Sequence, residues 1–215
     1  MIWQYRDFGR SVPNLTLRNP TGRFNCAPGN LWNGMNNPAQ ERNDVVDRLA
    51  QAVALIEWSL DRRLVPEHGV SIGYAIRGAR DSNGVAAVQG GIMAGGTKPR
   101  AAGPCGFGMD DGIARIILTA MKFDPLMRSA ASIQFTGRAR AVLEDDLFLE
   151  CITCDPRQSP AGISTMDWGI ASCCGEGVPD AIFRPGAGGD LALISLFGED
   201  PVGIANNIII CSNRI

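Results

Sequence analysis

Apolar positions recur at regular steps from residue 38 onward and irregularly before it. Val45, Leu49, Ala52, Val53, Ile56 and Leu60 fall three or four residues apart, with Asp44, Asp47, Arg48 and Gln51 between them. That spacing is the stripe of an amphipathic helix. Asn37 suits the N-cap, Pro38 the first helical position, and Gln40 the reciprocal partner of a capping box. Arg62 and Arg63 complement the negative end of the helix, and Pro66 stops it.

The period then changes to two. Val70, Ile72, Tyr74 and Ile76 alternate with Ser71, Gly73, Ala75 and Arg77, which predicts a half-buried strand. The turn residues Asp81-Ser82-Asn83-Gly84 predict a hairpin, with Val85 to Met93 returning. A Gly- and Pro-rich loop occupies 94–109. A second helix is predicted from Asp110 or Asp111, with Ile113, Ile116, Ile117, Ala120 and Met121 on its apolar face and Asp124-Pro125 at its end. Ile133, Phe135, Gly137, Ala139 and Ala141 then alternate with polar residues as a strand. Glu144-Asp145-Asp146 reads as a charged hairpin tip, with Leu147 to Cys154 returning. After a loop-rich stretch with a short strand around Ala181-Ile182-Phe183, Leu191 to Phe197 and Ile204 to Cys211 are apolar enough for buried strands. The predicted fold class is α+β: an antiparallel or mixed sheet with two main helices packed on it, preceded by an extended N-terminal arm. Residues 1–37 form the arm and 38–215 a single α+β domain.

The arm is rich in Asn, Pro, Gly and Arg and carries Trp3, Tyr5, Phe8, Phe24 and Trp32 without a sustained period. Leaving such rings in water costs a few kcal/mol each, to order of magnitude about 2. They are therefore interface candidates, and an arm reaching across a neighbour predicts a homo-oligomer.

Composition narrows the partners. Of 215 residues 45% are hydrophobic and 20% charged, with a net charge of −2. This is a globular composition, and nothing in it favours nucleic acid or an anionic membrane. No apolar run reaches the roughly 18 residues of a membrane helix. The first residues lack a signal-peptide layout, so a cytoplasmic location is expected. Seven cysteines, odd in number and unevenly spaced, read as free thiols and not as a disulfide scaffold.

Four groups of residues could carry chemistry. Cys151 and Cys154 form a C-x-x-C, and Cys173-Cys174 follow one loop later. These four are the candidate metal set, for zinc, but a second C-x-x-C is missing. In a continuous strand Cys151 and Cys154 would point to opposite faces. A nucleophilic cysteine needs a base, and the one histidine is His68. Cys173, Cys174, His68, Lys98 and Asp167 are therefore the catalytic candidates if the chain is an enzyme. Gly95, Gly96, Lys98 and Arg100 form an anion-binding candidate ahead of a helix, though Asp110 and Asp111 already occupy the place an anion would take. The acidic tip 144–146 reads as a solvated edge. In 159–169, Asp167 and Trp168 could line a pocket, but no G-x-S-x-G or S-x-x-K is present.

Without a standard catalytic spacing, two functions are predicted in order. The first is a non-enzymatic structural subunit of a homo-oligomeric assembly, such as a virion, tail or shell component, whose arm makes the inter-subunit contacts. The alternative is a small-molecule enzyme using a cysteine nucleophile or a cysteine-bound metal in the C-terminal half. No cofactor is expected under the first reading; zinc belongs to the second.

Overall fold

The computed structural model describes residues 37–154, 165–186 and 191–215, and of 165–168 the backbone only. Residues 1–36 of the arm, with the rings Trp3, Tyr5, Phe8, Phe24 and Trp32, lie outside the described residues, as do the side chains of Asp167 and Trp168.

The described chain begins with helix α1, Pro38–Ser59. Asn37 caps it by accepting from Ala39 N at 3.1 Å. Gln40 does not close a capping box; its amide donates to Asp44 Oδ1 at 2.7 Å, one turn on. All six apolar positions of the stripe are buried. Arg62 and Arg63 lie beyond the helix end, in a short turn of 3-10 helix, Arg62–Leu64, capped by Asp61.

Strands β1 (Ser71–Ala75) and β2 (Val85–Val88) form the expected hairpin, with Gly73 opposite Ala87. The returning strand is shorter than its apolar run. Gly90 and Gly91 both take φ +72°, a left-handed bend that costs little without a Cβ. Beyond it β3 (Ile92–Met93) pairs with β4 (Arg100–Ala101) in a separate ribbon, and β5 (Cys105–Phe107) pairs with β2. Helix α2, Asp111–Ala120, starts where expected, with Asp110 Oδ1 accepting from Gly112 N and Ile113 N.

The sequence reading and the structure then part. Strand β6 is Ser129–Gln134 and ends before the predicted alternation does. Thr136 accepts from Ala139 N at 3.0 Å and opens helix α3, Gly137–Ala141. Glu144-Asp145-Asp146 is no hairpin tip but part of a π-helical turn, Val142–Asp146, with Glu144 paired to Arg140 at 2.9 Å and Asp146 to Arg214 at 2.8 Å. Strand β7 (Cys151–Thr153) does not return along β6. It lies parallel to β8 (Ala181–Arg184), Cys151 opposite Ala181. After α4 (Thr165–Cys173) and β8, strand β9 (Leu193–Gly198) runs antiparallel to both β6 and β8. The apolar run 204–211 is not a strand but the middle of helix α5, Pro201–Arg214, capped by Asp200.

Among the described residues the fold is thus a mixed seven-stranded sheet, order β5-β2-β1-β6-β9-β8-β7, with five helices. This is a mixed α/β arrangement, and the two-helix expectation is corrected accordingly. One face buries Ile72, Ala131, Ile133, Phe183, Ile194 and Leu196 beneath α1, α3 and α5. The other buries Ala87, Ala130, Ile182 and Phe197 beneath α2 and α4. Among the described residues no helix is long and apolar enough to cross a membrane.

Candidate functional site

The face under α2 carries a polar row. Strand alternation turns Ser71, Gly73 and Ala75 toward α2. Register places Ser71 opposite Ser132, and Ser132 opposite Ser195, so three serines from three adjacent strands lie side by side. Arg184, two residues beyond Ile182 on the same face of β8, ends the row, since Ile182 is the partner of Ser195. Helix α2 comes close because Gly73 has no side chain. A Cβ there would meet Ile117 Cδ1 at 3.0 Å and Ile113 Cγ2 at 3.2 Å.

Where the row reaches the ends of the strands, α2 leaves a cavity of about 120 Å³. Ser71, Ser132 and Arg184 supply its polar wall, and Ile113, Ile116 and Leu193 its apolar one; His68 sits at the rim. Ser132 is buried and Ser195 behind it is fully so. Arg184 Nη2 donates to Ser195 Oγ at 3.1 Å, and Ser195 Oγ lies 3.3 Å from Ser132 Oγ. Arg184 Nε is buried and has no partner among the described residues. Burial lowers the guanidinium's pKa, with Cys154 acting in the opposite sense; an arginine nonetheless stays charged. The site therefore holds a desolvated cation with a donor to spare, and such a group calls for an acceptor from outside. The start of α2 does not serve that purpose, because Asp110 already takes its first N–H groups.

Of the candidate site residues named from the sequence whose side chains are described, His68 alone lines this cavity. Lys98 is committed elsewhere: its ammonium lies 3.7 Å from the Trp58 ring centre and donates to the Trp58 carbonyl at 2.9 Å. That contact draws the 94–101 segment, with Gly95, Gly96 and Arg100, onto the end of α1, where Glu57 accepts from Ala101 N at 2.8 Å. The cysteines divide between the two faces. Cys151 packs against the α1–α5 side, whereas Cys154, Cys173 and Cys174 are buried on the α2–α4 side, with the Cys173 and Cys154 thiols hydrogen-bonded. Among the described residues no three His, Cys, Asp or Glu side chains gather in a metal-sized cluster. Burial, with Glu144 and Asp180 nearby, pushes the Cys151 thiol up to about 12; burial alone takes Cys174 to about 11. Burial also raises Cys105 and Cys173. These shifts run against the lowering that makes a thiolate nucleophile.

Arg184 and the serines give little local signal in the sequence because their meaning is positional. An arginine closing a β-strand that is otherwise apolar, Ala181-Ile182-Phe183-Arg184, was the one available signal.

Comparison with known proteins agrees with an enzyme site. Residues 48–210 match the family described as thiamine-phosphate synthase ThiN. The bifunctional thiamine biosynthesis protein ThiDN of Methanocaldococcus jannaschii is 30% identical over 172 residues, 78% of this chain; the chain spans 40% of that protein's length. The crystal structure of the C-terminal domain of protein MJ0236 superposes with a TM-score of 0.74 at 28% identity, over 80% of this chain and 95% of that one. The C-terminal domain of a phosphomethylpyrimidine kinase superposes with a TM-score of 0.71 at 26% identity, over 81% of this chain and all of that one. These matches overturn the expectation of a structural assembly subunit and favour the class of the alternative, an enzyme of small molecules. The match over residues 48–210, three quarters of the chain, settles the kinship: the chain belongs to the thiamine-phosphate synthase ThiN family.

Proposed function

We propose that this chain makes thiamine phosphate and that the cavity under α2 holds the phosphate of substrate and product at Arg184. The single observation that carries the site assignment is the buried Arg184 Nε without a partner among the described residues. A phosphate oxygen would complete its hydrogen bonding and neutralise its charge in one contact.

The product's chemistry defines the step. Thiamine phosphate joins a pyrimidine methylene to the nitrogen of a thiazole that bears a phosphate monoester. The thiazole nitrogen's lone pair forms the new C–N bond, the bond from methylene to an oxygen leaving group breaks, and that oxygen departs with the electron pair. The nitrogen carries no proton, so no base has to remove one. What the protein must supply is position and charge stabilisation. Arg184 anchors the phosphate, and the apolar wall of Ile113, Ile116 and Leu193 excludes water beside it. A cytoplasmic location follows from this reading.

The test is formation of thiamine phosphate from a phosphorylated thiazole and an activated pyrimidine by the purified chain. Arg184→Gln should fold and should raise KM for the phosphorylated thiazole by about 10–100-fold, the loss of a charged hydrogen bond. Wild-type protein that forms no product, or an Arg184→Gln variant with unchanged KM, refutes the proposal.

A further inference from the structure

Arg184, Ser195 and Ser132 form a hydrogen-bond chain whose direction is set at one end. A guanidinium only donates. Arg184 Nη2 donates to Ser195 Oγ at 3.1 Å, so that oxygen is an acceptor there. Ser195 is fully buried, and among the described residues the other oxygen its hydroxyl meets is Ser132 Oγ at 3.3 Å. Leaving a buried hydroxyl hydrogen unpaired is costly, so Ser195 gives its hydrogen to Ser132. Ser132 thereby accepts from Ser195, and its own hydrogen is directed to the cavity that it lines.

The geometry points to Ser132 as a specificity-determining donor of this site. Arg184 lines the same wall, and its Nε–H is a second donor without a partner among the described residues. A group that only accepts, an ionised phosphate monoester, satisfies both. An alcohol in its place could accept from both, but it brings no charge to neutralise Arg184 and adds a hydrogen for which these two donors offer no acceptor. Ser195 does not line the cavity; it is a positioning residue that sets which way Ser132 points. The inference rests on the cavity being the phosphate site of the proposed function.

The test is calorimetric titration of the wild-type chain and of the Ser132→Ala, Ser132→Thr and Ser195→Ala variants with inorganic phosphate, thiamine phosphate and thiamine. Ser132→Ala should bind both phosphates about 10–100-fold more weakly, with thiamine unchanged. Ser132→Thr keeps the hydroxyl and should restore affinity to within about threefold. Ser195→Ala should reduce the preference for thiamine phosphate over thiamine about 3–10-fold, a ratio that a merely structural defect would not move. If Ser132→Ala does not fold, Ser132→Cys, similar in size with a weaker donor, carries the same prediction. Unchanged phosphate affinity in the folded variant, or an equal loss for thiamine, overturns the inference. Failures separate cleanly. A chain that binds phosphate through Ser132 but makes no thiamine phosphate refutes the proposed function alone. An active chain whose phosphate affinity ignores Ser132 refutes this inference alone.

Discussion

Gly73 is where the closeness of α2 to the sheet can be tested. Adding one methyl group, Gly73→Ala, would place a Cβ 3.0 Å from Ile117 Cδ1, 3.1 Å from the Ala86 carbonyl oxygen and 3.2 Å from Ile113 Cγ2. The carbonyl belongs to the paired strand β2 and cannot move without breaking the hairpin register. The two isoleucines are fully or almost fully buried, so α2 itself has to give. Overpacking of this kind costs about 1–3 kcal/mol. Against it stands about 0.4–1 kcal/mol gained because alanine restricts the unfolded chain. The net loss is about 1–2 kcal/mol, which for a domain of this size lowers Tm by about 2–8 °C. Calorimetric melting measures it directly. The mechanism makes a second demand. Ile117→Val removes the nearest clashing methyl group and should cost about 1 kcal/mol in the wild type but less in the Gly73→Ala background. Additive losses, or a Gly73→Ala protein as stable as wild type, would refute the claim that Gly73 sets the approach of α2.

Two further outcomes test the local readings. Phe148 has φ +53° and is 85% exposed, so it bears backbone strain without burying its ring. Phe148→Gly should raise stability by about 0.5–1 kcal/mol, the relieved strain less the added freedom of the unfolded chain, and a lower urea midpoint would refute this. At Asp200 burial pushes the carboxyl up, but the Arg48 guanidinium at 2.7 Å and the N–H groups of Val202 and Gly203 outweigh it and hold its pKa below the ordinary value. A depressed folded pKa means that the stabilisation is present above the unfolded value near pH 4 and is lost as pH falls through the folded one. Asp200→Asn should therefore show a flatter decline of urea midpoint below about pH 4 than wild type, and parallel declines would contradict the assignment.

Where a few adjacent residues decide an element, the sequence is readable. Asn37-Pro38 and Asp110 announce α1 and α2, and the structure has the caps in place. Asp200-Pro201 carries the same message for α5, but the uninterrupted run Ile208-Ile209-Ile210-Cys211 resembles a buried strand more than a helix packed against α1. Periodicity cannot separate those two for a short apolar run. Gly137-Arg138-Ala139-Arg140-Ala141 misleads differently. Its alternation has period two only because small residues separate the arginines. One cap at Thr136 and one Arg140–Glu144 pair suffice to make it helical. Strand β7 falls within the run Leu147 to Cys154 read as a strand, but its pairing was beyond local reading, since its parallel partner β8 lies across a helix and a loop.

The site shows the same limit in sharper form. Ser71, Ser132 and Ser195 are small polar residues in three strands, and each alone reads as the solvent-facing member of an alternation. Register converts them into a row, and a covering helix converts their outward face into an inward one. Only then does Arg184 acquire its meaning. On a solvated edge a guanidinium finds water for every N–H. Under α2 it finds Ser195 for one and, among the described residues, nothing for another. The cysteines show the converse: they cluster in sequence, yet Cys151 and Cys154 diverge across the sheet, and burial raises the Cys151 and Cys174 thiols. Chemistry follows from what is left unpaired after folding. That quantity belongs to the fold and not to any residue type or spacing, and it is why the proposed site is built on the serines and one strand-end arginine.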